Sequence, residues 1–293
     1  MSVDGVLVID KPAGVVSMRV VEQVRRLTKT RRAGHTGTLD PMATGVLPIC
    51  LGQATRIASL LLGEDKEYTA TVRLGLETET YDLDGAVVRT GEVPESLTAA
   101  EIQEHLTAFT GTITQRPPPF SAVRVGGERL YKKARRGEAV EAPERQVVVH
   151  ELALESWARP DARLRVRCGT GTYVRSLAAD LGARIGCGAC LAALRRTRVG
   201  ALSEQRALSL EAIAERAAAG TLTEVLLTPA EALAHLPAVT LDADEQRRIR
   251  DGQAVDAPHP TSATFVRLLD GDGRLLALAE PAKGRLQPRK VFK

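Results

Sequence analysis

The chain has 293 residues, 44% hydrophobic and 26% charged, with 40 Lys and Arg against 36 Asp and Glu for a formal net charge of +4. This composition excludes wholesale disorder, and no run approaches the ~20 apolar residues a membrane-spanning helix needs. The length predicts two units, a larger and a smaller, and the first residues, MSVDGVLVIDKP, lack the basic-then-apolar pattern of a signal peptide.

In chain order, residues 6–9 predict a short apolar strand stopped by Lys11, Pro12 and Gly14. Val20, Val24 and Leu27 then recur at helical spacing, and Ala54, Ile57, Ala58, Leu61 and Leu62 repeat that stripe more strongly. From Lys66 the period becomes two, with Tyr68, Ala70, Val72 and Leu74 on one face, so a half-buried strand turns Tyr68 inward. Thr98 and Glu101 form a capping box that opens a helix through Ile102, Leu106 and Phe109. A further strand sets Leu164, Val166 and Cys168 against Arg163, Arg165 and Arg167 on its other face. It leads through Gly169 and Gly171 into a helix with the stripe Val174, Leu177, Ala178 and Leu181. Such a strand, turn and helix N-terminus can hold an anion, but the third glycine of a dinucleotide fingerprint and a Walker lysine are missing. Thr228 and Glu231 cap a short helix, Leu236-Pro237 reads as a linker, and 242–245 starts a separate helix ended by Gly252. Strands at 264–269 and 275–279, joined by a turn at 270–273, complete a small β-rich unit. The predicted division is therefore 1–236 and 237–293.

The modest net charge conceals segregation. Residues 116–137 carry a net +6, 163–198 a net +7, and 283–293 five basic side chains without an acid, whereas 60–105 carry a net −8. One such cluster is commonly a solvated face; three in one chain point to a polyanion, with nucleic acid ahead of a membrane surface. The nine aromatics argue against a broad stacking platform for single strands. Cys50, Cys168, Cys187 and Cys190 read as small buried thiols, and Cys187-x-x-Cys190 lacks the second pair of a zinc site.

The most unusual stretch runs from Arg32 to Gly45, polar and glycine-punctuated, with Asp40-Pro41 at its centre and an apolar run after it. Pro41 biases Asp40 towards extended backbone, so the loop can present a carboxylate on a rigid support. Asp40 could equally do no more than start a turn, and His35 could be a packing or capping histidine. A lone carboxylate can be a nucleophile, a general base or, with Asp82 and Asp84, a metal ligand. Spacing does not choose among these.

The segment RAGHTGTLDPMATGVLPICLG closely resembles the TruB-type tRNA pseudouridine synthases, which act on the uridine at position 55 of the T-arm. The likeness continues in order through DKPAGVVS (10–17), KEYTATVRLGLETETYDLDG (66–85), PPPFSAVRVGGERLYKKARRGE (117–138) and GTYVRSLAADLGARIGCGA (171–189). Met18-Arg19, where many members carry His or Asn then Asp, is a departure confined to the start of a helix.

The resemblance implies an α+β pseudouridine-synthase fold: a central mixed, largely antiparallel sheet flanked by helices, with a basic T-arm-binding insertion at about 113–140. It implies a PUA-like RNA-binding unit at 237–293, on a weaker match. By residue, it places the nucleophile at Asp40 and substrate-binding positions at His35, Tyr68, Tyr173, Arg175 and Leu194. No metal or other cofactor, no guide RNA, no membrane, a monomer, tRNA as partner and a cytoplasmic location are the remaining expectations. Arg175 beside Asp40 would favour the carboxylate form and offset its burial.

Overall fold

The alternation at Tyr68 is realised as the strand Lys66–Leu74, buried at every second residue, in a computed structural model that describes residues 3–138 and 142–292. Residues 139 and 140 of the expected insertion, Lys293 of the basic tail, and residues 1 and 2 lie outside that description.

This strand sits at the middle of the main sheet. In spatial order the sheet runs Gly5–Lys11, Thr44–Leu51, Ala189–Val199, Lys66–Leu74, Asp161–Cys168, Arg145–Ala158 and Gly111–Gln115. Thr44–Leu51 and Ala189–Val199 pair in parallel, and the other neighbours on this path are antiparallel. The sheet is thus mixed and largely antiparallel, as expected.

Alternate residues of each strand serve opposite faces. On one face, Leu7, Ile9, Leu47, Ile49, Ala70, Val72, Leu164 and Val166 pack against Val20, Val21 and Val24 of the helix Ser17–Thr28, Ile102 and Leu106 of Ala99–Thr107, and Leu177 and Leu181 of Val174–Ile185. At one end of the other face, Val6, Val8, Val46 and Cys50 meet Ala54, Ile57 and Leu61, and then Leu275, Leu278 and Phe292. Burial of each such valine, leucine, isoleucine or phenylalanine contributes roughly 1.5–3 kcal/mol.

Residues after Pro237 form a second sheet, in the order Ala238–Thr240, Val266–Leu269, Leu275–Ala282, Arg285–Val291 and Val255–Asp256. It has a core of its own around Ile249, Leu268, Ala277 and Leu286. The basic tail is a strand here, and much of its charge is used internally: Arg289 meets Glu280 at 2.8 Å, and Lys290 Nζ donates to the Arg56 carbonyl at 2.7 Å. On the arginine face of Asp161–Cys168, Arg163 pairs with Glu155 and Arg165 with Glu151 across the sheet, while Arg167 is exposed. Part of the charge in each segment is thus matched within the protein.

Candidate active site

The loop around Asp40 is held from both sides. The Ser17 hydroxyl accepts from the Leu39 N–H and donates to the Leu39 carbonyl, both at 2.9 Å. Gly14 N–H donates to the Pro41 carbonyl at 2.8 Å. Lys11, fully buried at the end of its strand, donates to the carbonyls of Pro12 (2.8 Å), Val15 (2.6 Å) and Pro41 (3.2 Å). Three acceptors match the three donors of an ammonium. Burial lowers the Lys11 pKa to about 8, Asp40 opposing that fall and Arg196 adding to it. Gly45 makes the far end possible: its φ is +98°, and a Cβ there would lie 2.2 Å from the Arg196 carbonyl.

The Asp40 carbonyl closes a turn onto Ala43 N–H at 3.1 Å, so the backbone does the turning. Its side chain, 31% exposed, instead meets Arg175, whose Nε lies 2.9 Å from Oδ2. Arg175 is in the first turn of the helix Val174–Ile185, where the helix dipole disfavours a cation. It is nonetheless fixed: Nη1 donates to the Thr80 carbonyl at 2.9 Å and Nη2 to the Phe120 carbonyl at 3.0 Å. Nη1 also lies 3.4 Å from Asp82 Oδ2. Asp82 is buried in turn, taking the Thr80 hydroxyl at 2.5 Å and Asp84 N–H at 3.1 Å on Oδ1. An arginine, a hydroxyl and one backbone N–H thus engage Asp82, and Asp84 is turned out to solvent. This is not the chemistry of a metal ligand pair.

Burial pushes the Asp40 carboxyl above its ordinary value, Arg175 and Lys11 pull it back, and Asp82 adds to the rise. Arg175 therefore acts in the expected direction without cancelling burial.

Tyr68 is buried, and its strand register sets it opposite Arg196, with Ala70 opposite Leu194. Tyr68 and Leu194 are therefore diagonal neighbours on one face of the sheet. Burial raises the Tyr68 phenol, Arg196 opposes this, and the Asp40 carboxylate is near enough to add to it. Arg196, 1% exposed, donates to the Val46 carbonyl at 2.7 Å and the Gly37 carbonyl at 3.1 Å. Gly37 N–H in turn donates to His35 Nδ1 at 3.3 Å, which requires that nitrogen to be unprotonated. Burial, with Arg196, lowers the His35 pKa, in agreement. Tyr173 precedes the Arg175 helix; Gln115 grips its backbone at 2.8 and 3.1 Å, and Arg145 stacks 4.8 Å from the ring centroid.

Asp40, Arg175 and Tyr68 thus share one site, with Leu194 beside Tyr68, His35 linked through Gly37 and Arg196, and Tyr173 at its helical edge. Lys11, Asp82 and Arg196 are the additions that sequence reasoning missed or undervalued. Arg196 was the most findable, since it stands two residues from Leu194 and so shares its inward face. The four thiols are buried, with Cys50 pushed up to about 12 and Cys168 and Cys190 to about 11, as unreactive packing thiols should be.

The chain is similar to known proteins along nearly its whole length. Residues 25–174 match the TruB family pseudouridylate synthase N-terminal domain, 175–234 a tRNA pseudouridylate synthase B C-terminal domain, and 237–292 a pseudouridine synthase II TruB C-terminal domain. The chain is 47% identical over 290 residues to a tRNA pseudouridine synthase B of Xanthomonas campestris pv. campestris, covering 98% of this chain and 94% of that one. It is 45% identical over 293 residues to that of Synechococcus sp. (strain WH7803), covering 98% and 97%. Among solved structures, it superposes with a TM-score of 0.76 and 26% identity on an H/ACA RNP bound to a substrate RNA containing 2′-deoxyuridine, covering 99% of this chain and 85% of that one. With its ordered motifs, its mixed sheet and a loop aspartate held by a buried arginine, the chain belongs to the TruB family of pseudouridylate synthases.

Proposed function

We propose that this tRNA pseudouridine synthase isomerises the uridine at position 55 in the T-loop, with Asp40 as nucleophile and without a guide RNA. The observation that carries the reading is the Asp40 carboxylate, open to solvent on one side and held at 2.9 Å by a buried Arg175 beside Tyr68.

The target base is stacked within folded RNA and must be turned out, at a cost of roughly a few kcal/mol. Tyr68 and Leu194 offer the ring and aliphatic wall that receive it, and His35, neutral and held by Gly37, ends the strand Ala33–His35 that leads into the Asp40 loop and props the vacated RNA. Arg175 orients Asp40 and favours its ionised form for attack at ribose C1′ or at base C6. Either route forms a bond from an Asp40 oxygen, breaks N1–C1′, lets the uracil turn and forms C5–C1′, after which the bond to Asp40 breaks and returns the carboxylate; one proton leaves C5 and one is gained at N1. Product and substrate are isomers, so the reaction balances without an oxidant or reductant.

The 113–140 insertion, which supplies the Phe120 carbonyl to Arg175, is read as the T-arm grip, and 237–293 as a PUA-type RNA-binding unit joined to 1–236. A monomer working on cytoplasmic tRNA is the simplest assembly. The structural relative is a ribonucleoprotein, so guide-dependent action is the competing reading. Incubating the protein alone with an unmodified tRNA transcript and mapping pseudouridine chemically separates the two. Product at the T-loop uridine supports the proposal, whereas product only after adding a guide RNA, or none at all, refutes it.

A further inference from the structure

If the Arg-rich strand and the tail spend much of their charge on neighbouring acids, the unspent charge lies elsewhere. Its densest run outside the insertion is on the helix Ser17–Thr28 and the residues after it, where Arg25, Arg26, Lys29 and Arg31 are exposed. Among the described residues none of these four has an acidic side chain within ion-pair distance, while Arg19 pairs with Glu22 at 2.9 Å. These six side chains line an open groove of about 590 Å³.

The helix dipole explains part of this, since Arg25 and Arg26 occupy the last turn. It does not explain Arg19 at the opposite end or Arg31 beyond the helix, and Arg25 and Lys29, four residues apart, repel each other. The buried face of the same helix, Val20, Val21 and Val24, is in the core, so the cations are held on a rigid support. Ser17, at the start of the helix, is bonded to Leu39 beside Asp40. The groove thus runs along the exposed side of a helix about 18 Å long whose first residue is bonded to the Asp40 loop.

We propose that this groove is a second RNA-binding track, taking the sugar–phosphate backbone of the tRNA as it leaves the active site. The proposal rests on the tRNA reading above. Its contacts are sequence-independent point charges on phosphates, and they strengthen binding without touching the reacting base.

The test uses the full chain with Arg25, Arg26 and Arg31 replaced together by Gln, and a second variant with Lys at the same three positions. Unmodified full-length tRNA transcript is the probe, and thermal unfolding checks that both variants fold as the parent does. The Gln variant should bind tRNA on the order of tenfold or more weakly, with a log Kd against log salt slope shallower by about 2 to 3. Its KM should rise while kcat at saturating tRNA is unchanged, and the Lys variant should restore most of the binding. Unchanged affinity and salt slope in a folded Gln variant would overturn the proposal and leave the groove to some other partner, such as an acidic protein. Failure of the parent itself to modify tRNA would instead defeat the functional reading.

Discussion

The Arg175 guanidinium is 5% exposed and meets the Asp40 carboxylate, 31% exposed, at 2.9 Å. The cation of this pair is the fixed member and the anion the accessible one. Two backbone carbonyls and Asp82 fix the guanidinium plane. A lysine cannot reproduce that fork. Arg175→Lys should therefore lower kcat by about a hundredfold or more, comparable with loss of one preorganised electrostatic contact, with a smaller change in KM. Single-turnover kinetics with tRNA checks this.

The acid limb of the pH–rate profile should lie above the ordinary carboxylate range, because burial raises Asp40 and the ionised form is the reactive one. Asp82 contributes to that rise, so Asp82→Asn should move the acid limb to lower pH. It should also lower kcat, since Arg175 loses one of its anchors. A kcat/KM titration of both proteins reads the shift and its sign.

An alkaline limb near pH 8 is expected from Lys11. Deprotonation leaves two donors for three carbonyls, loosening the seam between residues 11–15 and Pro41, and removes a positive charge that favours ionised Asp40. Lys11→Gln should lower activity at every pH and abolish this limb.

Asp40 should also cost the protein stability. A carboxyl whose folded value is raised holds its proton more tightly in the folded state. Its stabilising contribution is full below the unfolded value and is lost as pH rises through the folded one. Asp40→Asn should accordingly melt at or above the parent temperature at neutral pH, an advantage that disappears below the ordinary Asp range. Thermal melts at several pH values test it.

Much of the fold was legible because its strands keep clean periodicity. Tyr68 to Leu74 alternates without interruption, and the capping boxes at Thr98, Thr228 and Asp242 are all formed. The strands Arg145–Ala158 and Ala189–Val199 were not read, and both carry register shifts that break the alternation, near 149–151 and 154–156 in one and 191–193 and 196–198 in the other. The resemblance brought Asp40, Tyr68 and Arg175 together. The partners that fix them were out of reach, because Lys11, Asp82 and Phe120 join the site through pairings 30 to 93 residues apart in sequence. A charge count along the chain likewise does not see Glu151, Glu155 or Glu280, which pair with part of the basic segments across a sheet.

The C-terminal sheet is joined to the main one by apolar contact as well as by Lys290. Phe292 packs with Ile57 and Leu278 and lies 5.6 Å beneath the Arg56 guanidinium. Phe292→Ala should cost about 3 kcal/mol of stability, in the range for large-to-small changes at buried aromatics, as read by denaturant titration.

The central claim is that the Asp40 carboxylate performs the attack. Wild type and Asp40→Asn should be given the same unmodified tRNA transcript, with binding and pseudouridine measured side by side. Asp40→Asn should bind tRNA with near-parental affinity and form no pseudouridine, while the parent modifies the T-loop uridine. Turnover by Asp40→Asn would contradict the account.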